Sequence, residues 1–297
     1  MQPATPVGLV GLGLLGAALA ERLIAAGYAV SGFDIDGAKL DSFARNGGRV
    51  APLAELAQYC ETLVLAVYDG QQVENILEAL KSLPAPGRQR SLICTTTCEP
   101  ACIERAASRA AGAGIDLVEA PISGTSAELS AGDATALVAG EPAIVDRLTP
   151  LLVALCPRIV RIGRIGDASR MKLAINLVLQ SNRAALAEGI AFVEAMGLNG
   201  SAFLDAARAS AAYSKVMDTK GEKMLQSDFR PQSRIAQTLK DADLILGEAR
   251  KLGLTLPMTA TQAQLLRDTI ALKGEDCDSA AVVDAIRQGP ATERTKT

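Results

Sequence analysis

A glycine-rich turn between an apolar strand and a helix constrains the fold of this chain more than any other feature. The segment Val7–Val10 has the character of a short buried strand, and Ala17–Ala26 has the pattern of a helix that ends at Gly27. Between them, residues 11–16 spell GLGLLG, which matches GxGxxG. In a strand–turn–helix context, this motif is typical of a dinucleotide-binding βαβ unit. A glycine-rich turn that serves only packing is the alternative interpretation.

Each glycine has a separate physical role in such a loop. Gly11 permits the tight turn, Gly13 lets the backbone approach a pyrophosphate, and Gly16 allows close packing of the helix on the strand. The helix N-terminus directs the positive end of its dipole toward the phosphates. We therefore predict that the whole loop binds the cofactor: Gly11, Leu12, Gly13, Leu14, Leu15 and Gly16.

An acidic residue follows where this motif requires one. Asp34 comes directly after the second predicted strand, Ala29–Phe33. A carboxylate there accepts hydrogen bonds from the ribose 2′-hydroxyl of NAD and repels the 2′-phosphate of NADP. The next residue, Ile35, offers no cation to that phosphate, so we expect NAD to be preferred over NADP. A capping role for Asp34 is the alternative, although Asp36 is available to cap the helix through Ala44.

Strand and helix patterns alternate as far as residue 165, and helices alone follow. Further strands are predicted at Thr62–Val67, Leu92–Cys94, Asp116–Val118 and Thr135–Val138, and further helices at Gln71–Leu80 and from Pro142 toward Leu155. This alternation predicts an α/β fold with a doubly wound, largely parallel sheet of the Rossmann type. We expect an NAD-binding domain over residues 1–165 and an all-α C-terminal domain over residues 166–297.

An unusually long helix is predicted to join the two domains. It extends from a cap at Asp167 or Ser169 to Met196, where Gly197 ends it, whereas an average helix has about 12 residues. Apolar residues occupy most of its circumference, which is typical of a buried helix. These residues are Leu173, Ile175, Leu177, Val178, Leu179, Leu186, Ile190, Phe192 and Val193. We therefore expect the helix over about 167–196 to be buried on all sides.

The composition excludes several classes of function. The 297 residues include no histidine, which excludes Ser-His-Asp and Cys-His catalytic triads and histidine-ligated zinc. The six cysteines show no CxxC spacing, so we predict no metal site and a reducing, cytoplasmic compartment. A net charge of −3 with 3% aromatic residues is unsuited to binding nucleic acid. Glycines and charges within Val7–Gly27 argue against a membrane span, and no positive charge precedes it as in a signal peptide.

A lysine near the start of the long helix is the second chemical feature. Lys172 shares a helix face with Asn176, four residues later. Taken alone, a lysine near a helix N-terminus is more often a surface residue, but in a desolvated cleft it can act as an acid–base group. The lysines in the span Lys215–Lys220 are most simply interpreted as part of a solvated face.

Together these motifs resemble the β-hydroxyacid dehydrogenase family, which includes 3-hydroxyisobutyrate dehydrogenase and tartronate semialdehyde reductase. The resemblance covers about residues 6–288. The family's GLGxMG loop corresponds to residues 11–16, and its Ser-Thr segment before a proline corresponds to residues 94–100. Its DAPVSGG motif corresponds to EAPISGT at 119–125. Its GxGxxxKxxxN motif corresponds, with looser spacing, to residues 163–176, and its Lys-Asp pair corresponds to Lys240-Asp241.

The resemblance implies an NAD-dependent enzyme that transfers a hydride between the cofactor and the 3-hydroxyl carbon of a small 3-hydroxyacid. The candidates are 3-hydroxyisobutyrate, glycerate (or tartronate semialdehyde), serine and threonate. The resemblance makes Lys172 the catalytic acid–base group and Asn176 the residue that positions the same oxygen. It places the substrate carboxylate at Ser123, Gly124 and Thr125. Further cofactor contacts are expected at Val67, Tyr68, Asp69, Val73, Thr97 and Lys240.

Departures from the family pattern leave the substrate open. Cys94 and Thr125 stand where the family commonly has Asp and Gly, and Thr125 adds a side chain beside the carboxylate-binding turn. Ile175 stands where the related 6-phosphogluconate dehydrogenases have histidine, and imine reductases lack the lysine found here at position 172. The alternatives are a non-catalytic dinucleotide-binding sensor or interaction module, and an imine or semialdehyde reductase of the same fold. Because family members associate through the helical half, a homodimer or homotetramer is expected.

Overall fold

The structure is a computed structural model that describes residues 6–83 and 90–289. The chain divides into two compact units, within residues 1–172 and 173–297. This division lies inside the long helix, and the domain boundary at residue 165 stays a prediction.

One mixed sheet organises the first unit. Its strands among the described residues are β1 (Pro6–Val10), β2 (Ala29–Phe33), β3 (Arg49–Val50), β4 (Thr62–Leu65), β5 (Arg90–Cys94), β6 (Ile115–Glu119), β7 (Ile122–Ser123), β8 (Thr135–Ala139) and β9 (Arg158–Gly163). The order β3-β2-β1-β4-β5-β6 is parallel throughout, as in dinucleotide-binding Rossmann folds. Strand β8 runs antiparallel to β6 and β7, and β9 lies parallel to β8.

Helices cover both faces of this sheet. They are α1 (Leu14–Ala25), α2 (Gly37–Arg45), α3 (Leu53–Tyr59), α4 (Gly70–Lys81), α5 (Pro100–Gly112), α6 (Ser126–Ser130) and α7 (Pro142–Leu155). Alternate side chains of a strand enter different hydrophobic clusters: Val64 joins Leu19 of α1, while Leu65 joins Leu77 of α4. Each such buried side chain contributes roughly 1.5–3 kcal/mol. The predicted doubly wound α/β architecture is confirmed.

Some predicted boundaries differ from the observed ones for local reasons. Strand β4 ends at Leu65 because the Val67 N–H donates to Thr96 Oγ1 (3.1 Å) instead of continuing a strand ladder. Asp36 caps α2 as predicted, with its carboxylate accepting from the Ala38 N–H. The sequence pattern missed α5, an alanine-rich helix that begins at Pro100.

The second unit is helical throughout its described residues. It contains most of α8 (Asp167–Ala195), then α9 (Gly200–Arg208), α10 (Glu222–Leu225), α11 (Ile235–Lys251), α12 (Pro257–Lys273) and α13 (Val282–Gln288), with a π-helical turn at Met217–Gly221 and a 3-10 turn at Ser279–Ala281. Its core includes Leu186, Ile190, Leu204, Met224, Ile235 and Leu266. The predicted all-α C-terminal domain is confirmed. In the part of the chain that the structure describes, no helix is both long and apolar enough to cross a membrane.

Helix α8 has the predicted length but is not buried on all sides. Leu186 and Ile190 enter the core of the second unit, whereas Val178 is 57% exposed and Phe192 67% exposed. Met171 and Ala185 are also exposed, so four of the exposed apolar residues of α8 are spaced seven residues apart. The prediction of complete burial is wrong because a single chain covers only part of the helix circumference. We call Met171, Val178, Ala185 and Phe192 the α8 stripe.

Candidate active site

The glycine loop has the geometry of an anion-binding turn. Gly11 has φ +96°, and an added Cβ would lie 2.3 Å from the Ala66 carbonyl oxygen. At Gly16 a Cβ would lie 2.0 Å from the carbonyl oxygen of Gly11, so helix α1 packs against the turn only without a side chain there. At Gly13 a Cβ would meet nothing within 4 Å. The open side of Gly13, next to the first N–H groups of α1, therefore suits a pyrophosphate.

Asp34 lies beside this loop and is held in place by it. Its Oδ2 accepts from the Leu12 N–H (2.7 Å) and its Oδ1 from the Asp36 N–H (3.0 Å). Lys39 Nζ lies 3.6 Å from Asp34 Oδ1. The carboxylate is buried, whereas Ile35 is largely exposed. The Leu12 N–H is thus engaged by Asp34, so we expect the other N–H groups of the loop to bind the phosphates.

The predicted cofactor contacts Val67, Tyr68 and Asp69 follow β4, at the same sheet edge as the glycine loop. Tyr68 is partly exposed, and its N–H donates to Gln72 Oε1 (2.9 Å). Asp69 caps α4 by accepting from the Gln72 N–H (2.8 Å). Val73 is completely buried in the core. It supports this segment from behind and offers the cofactor no surface, so the prediction of a direct Val73 contact is wrong.

Two threonines beside Thr97 join the ends of two neighbouring strands. Thr95 Oγ1 donates to the Leu65 carbonyl oxygen (2.9 Å), and Thr96 Oγ1 accepts from the Val67 N–H (3.1 Å). Thr97 itself is buried directly after them. The carboxyl ends of β4 and β5 are therefore fixed together at the edge where a dinucleotide fold binds its ligand.

The predicted carboxylate-binding turn follows β6. Gly124 has φ +144°, and an added Cβ would lie 2.9 Å from the Ala134 Cβ. Thr125 forms a capping box with Glu128: its N–H donates to Glu128 Oε2 (2.8 Å) and its Oγ1 accepts from the Glu128 N–H (3.1 Å). The Thr125 N–H is thus used within α6. We therefore expect the Ser123 hydroxyl and the Gly124 N–H to be the donors to a substrate carboxylate.

The N-terminus of α8 is capped from another element. Glu119, the last residue of β6, is completely buried, and its carboxylate accepts from the Gly166 N–H (2.8 Å), the Ser169 N–H (2.6 Å) and the Ser169 hydroxyl. Asp167 instead accepts from the Arg164 N–H (3.0 Å). The predicted cap by Asp167 or Ser169 is therefore wrong, because a distant carboxylate takes the amide groups that a local cap would satisfy.

Lys172 and Asn176 are both buried on one face of α8, with 6% and 5% of their surfaces exposed. Asn176 Nδ2 donates to Asp241 Oδ2 of α11 (2.8 Å). Lys240 Nζ lies 3.1 Å from Asp241 Oδ1. Lys172 and Asn176 are therefore buried, and Lys240 is ion-paired. Asp241, to which the sequence motifs gave no role, contacts both Asn176 and Lys240.

Sequence analysis also missed a buried charge cluster in the second unit. Lys220 was predicted to lie on a solvated face, but it is 2% exposed and its Nζ lies 2.8 Å from Asp278 Oδ1. Burial lowers the pKa of Lys220 to about 8, although Asp278 opposes the fall. Arg183 is also buried, and within the described residues its Nε and Nη1 have no hydrogen-bond partner. The local sequence signal for this cluster was Asp278, which stands before the apolar run 280–283 where a helix cap is expected.

Comparison with known proteins places these features in one family. Residues 6–163 match the family described as the NAD binding domain of 6-phosphogluconate dehydrogenase, and residues 166–286 match the family described as NAD-binding of NADP-dependent 3-hydroxyisobutyrate dehydrogenase. The chain belongs to the β-hydroxyacid dehydrogenase family. Members of this family are NAD(P)-dependent 3-hydroxyacid dehydrogenases, and the chain carries the NAD(P)-binding domain.

Individual members show the same similarity over most of their length. The 2-hydroxy-3-oxopropionate reductase of Escherichia coli K12 is 28% identical over 78% of this chain and 80% of its own length. The L-threonate dehydrogenase of Cupriavidus necator is 29% identical over 82% of this chain and 83% of its own length. The crystal structure of 3-hydroxyisobutyrate dehydrogenase from Salmonella typhimurium has a TM-score of 0.85 at 25% identity, with 94% and 99% of the two chains covered.

Proposed function

We propose that this β-hydroxyacid dehydrogenase oxidises the 3-hydroxyl group of a small 3-hydroxyacid with NAD, or reduces the corresponding semialdehyde. The observation that carries the proposal is the burial of Lys172 and Asn176 on one face of α8. Burying a lysine side chain is costly, and an acid–base role explains why one is buried at this position. Asn176 is fixed by Asp241 (2.8 Å), which supplies the orientation that such chemistry needs.

The chain's own groups divide the reaction between them. When bound, the nicotinamide accepts or donates the hydride, which is chemistry that the protein cannot supply. In oxidation, Lys172 takes the proton from the substrate hydroxyl; in reduction, its ammonium polarises the carbonyl and returns that proton. Asn176 positions the same oxygen. Ser123 and Gly124 bind the carboxylate.

Asp34 supports the proposal of NAD over NADP as cofactor. Its buried carboxylate lies beside the glycine loop, where it would accept a hydrogen bond from the ribose 2′-hydroxyl of NAD and repel the 2′-phosphate of NADP. Lys39, at 3.6 Å, already pairs with this carboxylate, so a 2′-phosphate would have to compete with Asp34 for the cation. One of the two matching families is described as NADP-dependent, which makes the preference a point for direct measurement.

The α8 stripe supports the proposal of a homodimer or homotetramer. Val178 and Phe192 are large apolar side chains left exposed on a long helix. Repetition every seven residues is the spacing with which one helix packs lengthwise on another. A second copy of the chain that presents the same stripe would bury it symmetrically.

A turnover assay with a defined panel tests the proposal. Purified protein is mixed with NAD and, in turn, 3-hydroxyisobutyrate, glycerate, serine and threonate, and the reduced cofactor is followed at alkaline pH. Lactate, which carries its hydroxyl at the 2-position, is the matched control substrate. Turnover of a 3-hydroxyacid but not of lactate, lost in Lys172→Ala, supports the proposal. Binding of NAD without any turnover would instead favour the non-catalytic module, and imine reduction would favour the reductase alternative.

A further inference from the structure

Glu119 is a buried carboxylate to which the proposed mechanism gives no part. It ends β6, and none of its surface is exposed. Both oxygens are used: Oε2 accepts from the Gly166 N–H (2.8 Å), and Oε1 accepts from the N–H (2.6 Å) and the hydroxyl of Ser169. Burial raises the pKa of this carboxyl, whereas the hydrogen bonds from Ser169 and from the backbone oppose the rise. Such a complete set of donors matches a carboxylate better than any other side chain.

These bonds have a particular place in the fold. The first N–H groups of a helix have no partner within it, and a negative charge there is stabilised by the helix dipole. Most caps come from a neighbouring residue and fix only the helix itself. Glu119 comes from the end of a central strand, so its bonds fix the first turn of α8 relative to β6.

Each end of this link leads directly to a proposed substrate contact. Ser169 lies one helical turn before Lys172, and side chains of a helix lean toward its N-terminus, so Lys172 lies over the turn that Glu119 caps. On the other side, the chain passes from Glu119 to Ser123 and Gly124 within a few residues. The carboxylate therefore joins the segment that holds the substrate carboxylate to the helix that carries the acid–base group.

We propose that Glu119 is a positioning residue for Lys172, which it holds in register with the Ser123–Gly124 turn by capping α8. This inference rests on the proposed function, because it requires Lys172 to act on the substrate. A small displacement of a catalytic group costs far more rate than stability, since about 1 Å is worth up to roughly 100-fold.

The other charged groups at this end of α8 are partnered on the surface. Arg170 pairs with Glu104 (2.7 Å) and Asp167 (3.2 Å), and these side chains are partly exposed. We expect these surface pairs to persist when Glu119 is substituted. Glu119→Gln removes the buried negative charge that is bonded to Ser169, one helical turn before Lys172. The loss of a negative charge at this distance should favour the uncharged amine of Lys172.

The experiment compares Glu119→Gln, Glu119→Asp and Ser169→Ala with wild type, using NAD and the 3-hydroxyacid of the panel that wild type oxidises fastest. Glu119→Gln should lower kcat roughly 10- to 100-fold, with KM for NAD within about twofold because the glycine loop is untouched. The midpoint of its pH–rate profile should move to lower pH. Glu119→Asp, which keeps the charge, should retain the wild-type midpoint, and Ser169→Ala, which removes one of the bonds, should show a smaller loss of kcat.

Two controls distinguish positioning from simple loss of stability. Leu148→Ala, in the core on α7, lowers the melting temperature of the same unit without touching the cap. It should leave kcat at permissive temperature within about twofold. Amide hydrogen exchange at Gly166 and Ser169 should accelerate in Glu119→Gln, and this readout reports the cap even if the enzyme has another substrate.

The outcomes separate the two proposals. Absence of turnover by wild type would overturn the proposed function. Normal kcat and an unmoved pH midpoint in Glu119→Gln, alongside faster exchange at Ser169, would overturn the positioning role and leave only a structural cap. An equal loss of kcat in Leu148→Ala would overturn it as well. If Glu119→Gln does not fold, Ser169→Ala decides the matter, and an unchanged kcat in that variant counts against positioning.

Discussion

Asn176 Nδ2 donates to Asp241 Oδ2 at 2.8 Å, and both side chains are buried. Because the acceptor is a carboxylate, the amide cannot rotate by half a turn without placing its oxygen against the negative charge. The remaining N–H of Asn176 is therefore directed by Asp241, and a hydrogen bond of this charge-assisted kind contributes roughly 1.5–3 kcal/mol. Under the proposed function, Asp241 would act on the substrate oxygen through Asn176.

Asp241→Ala should consequently reduce kcat by about ten- to a hundredfold, since it leaves a buried amide donor unpaired at a cost of roughly 1–3 kcal/mol. Asp243→Ala is the matched control on the same helix, because Asp243 is exposed and pairs with the partly exposed Arg267. It should change kcat by less than about twofold. Steady-state kinetics of the two variants decide the point, and equal effects would remove Asp241 from the site.

Lys172→Ala should lower the rate roughly 10²–10⁴-fold, the usual contribution of general acid–base catalysis. The loss should fall on kcat, because the proton transfer belongs to the transition state. Lys172→Arg should not restore activity, since a guanidinium stays protonated and cannot serve as the base. NAD binding, measured by calorimetry, should persist in both variants.

The pH dependence of the same variants tests whether Lys172 is the acid–base group. Wild-type oxidation should accelerate with rising pH as Lys172 loses its proton, and this limb should be absent from Lys172→Ala. Arg170→Ala, a partly exposed position nearby on α8, should keep the wild-type profile. A Lys172→Ala enzyme that retains most of kcat and the same profile would exclude Lys172 as the acid–base group.

Asp34→Ala should reduce kcat/KM with NAD by roughly ten- to a hundredfold, the value of a hydrogen bond to a charged group. The ratio of NAD to NADP activity should fall, because the repulsion of a 2′-phosphate disappears and Lys39 loses its partner at 3.6 Å. Adding Lys39→Ala should then remove part of the new NADP activity. Asp36→Ala removes the cap of α2 and the 3.7 Å pairing of Asp36 with Lys39, but it leaves the Asp34 carboxylate in place. It should therefore lose about 1 kcal/mol of stability and keep the preference for NAD. A wild type that prefers NADP would contradict the role given to Asp34.

Lys220→Met should destabilise the second unit by about 3–5 kcal/mol at pH 7, because it leaves the buried Asp278 carboxylate without its cation. Lys251→Met is the control, since Lys251 is exposed and its Nζ lies 2.8 Å from Glu248 Oε1 on the same helix. Denaturant unfolding of both variants gives the difference.

The same pair predicts a sign for alkaline stability. The pKa of Lys220 is lowered to about 8 in the folded chain, against about 10.4 in the unfolded chain. Between these values the unfolded chain binds a proton that the folded chain has released, so this group makes the free energy of unfolding rise with pH. The difference in stability between wild type and Lys220→Met should therefore widen from pH 8 to pH 10; a constant difference would show that Lys220 does not titrate in this range.

The glycine loop and Asp34 were predictable because their signals are local. A strand, three glycines and an acidic residue at fixed spacing specify one geometry, and Gly11 and Gly16 indeed have no room for a Cβ. The length of α8 was predictable for the same reason. Between Asp167 and Gly197 the sequence contains no proline and a single glycine, Gly189.

The contacts that fix the site were not predictable from local pattern. Glu119 and Ser169 are 50 residues apart in sequence, and Lys220 and Asp278 are 58 apart. In sequence, a charged residue beside an apolar run looks the same whether its side chain is solvated or buried against a distant partner. Periodicity also overstated the burial of α8, because it measures where apolar side chains lie and not whether another surface covers them.

That uncovered surface supplies the last prediction. Phe192→Glu places a charge at the C-terminal end of the α8 stripe, where a second copy of the chain would have to bury it without a partner. The cost of several kcal/mol exceeds what a single interface contact returns. We expect wild type to be dimeric or tetrameric and Phe192→Glu to be smaller, as measured by light scattering at micromolar concentration. Tyr59→Glu, an exposed aromatic residue of the first unit, should leave the mass unchanged. Both variants should keep the helical circular dichroism of wild type, because each substitution is on the surface. A monomeric wild type, or a Phe192→Glu variant of wild-type mass, would show that the α8 stripe is not the contact between copies.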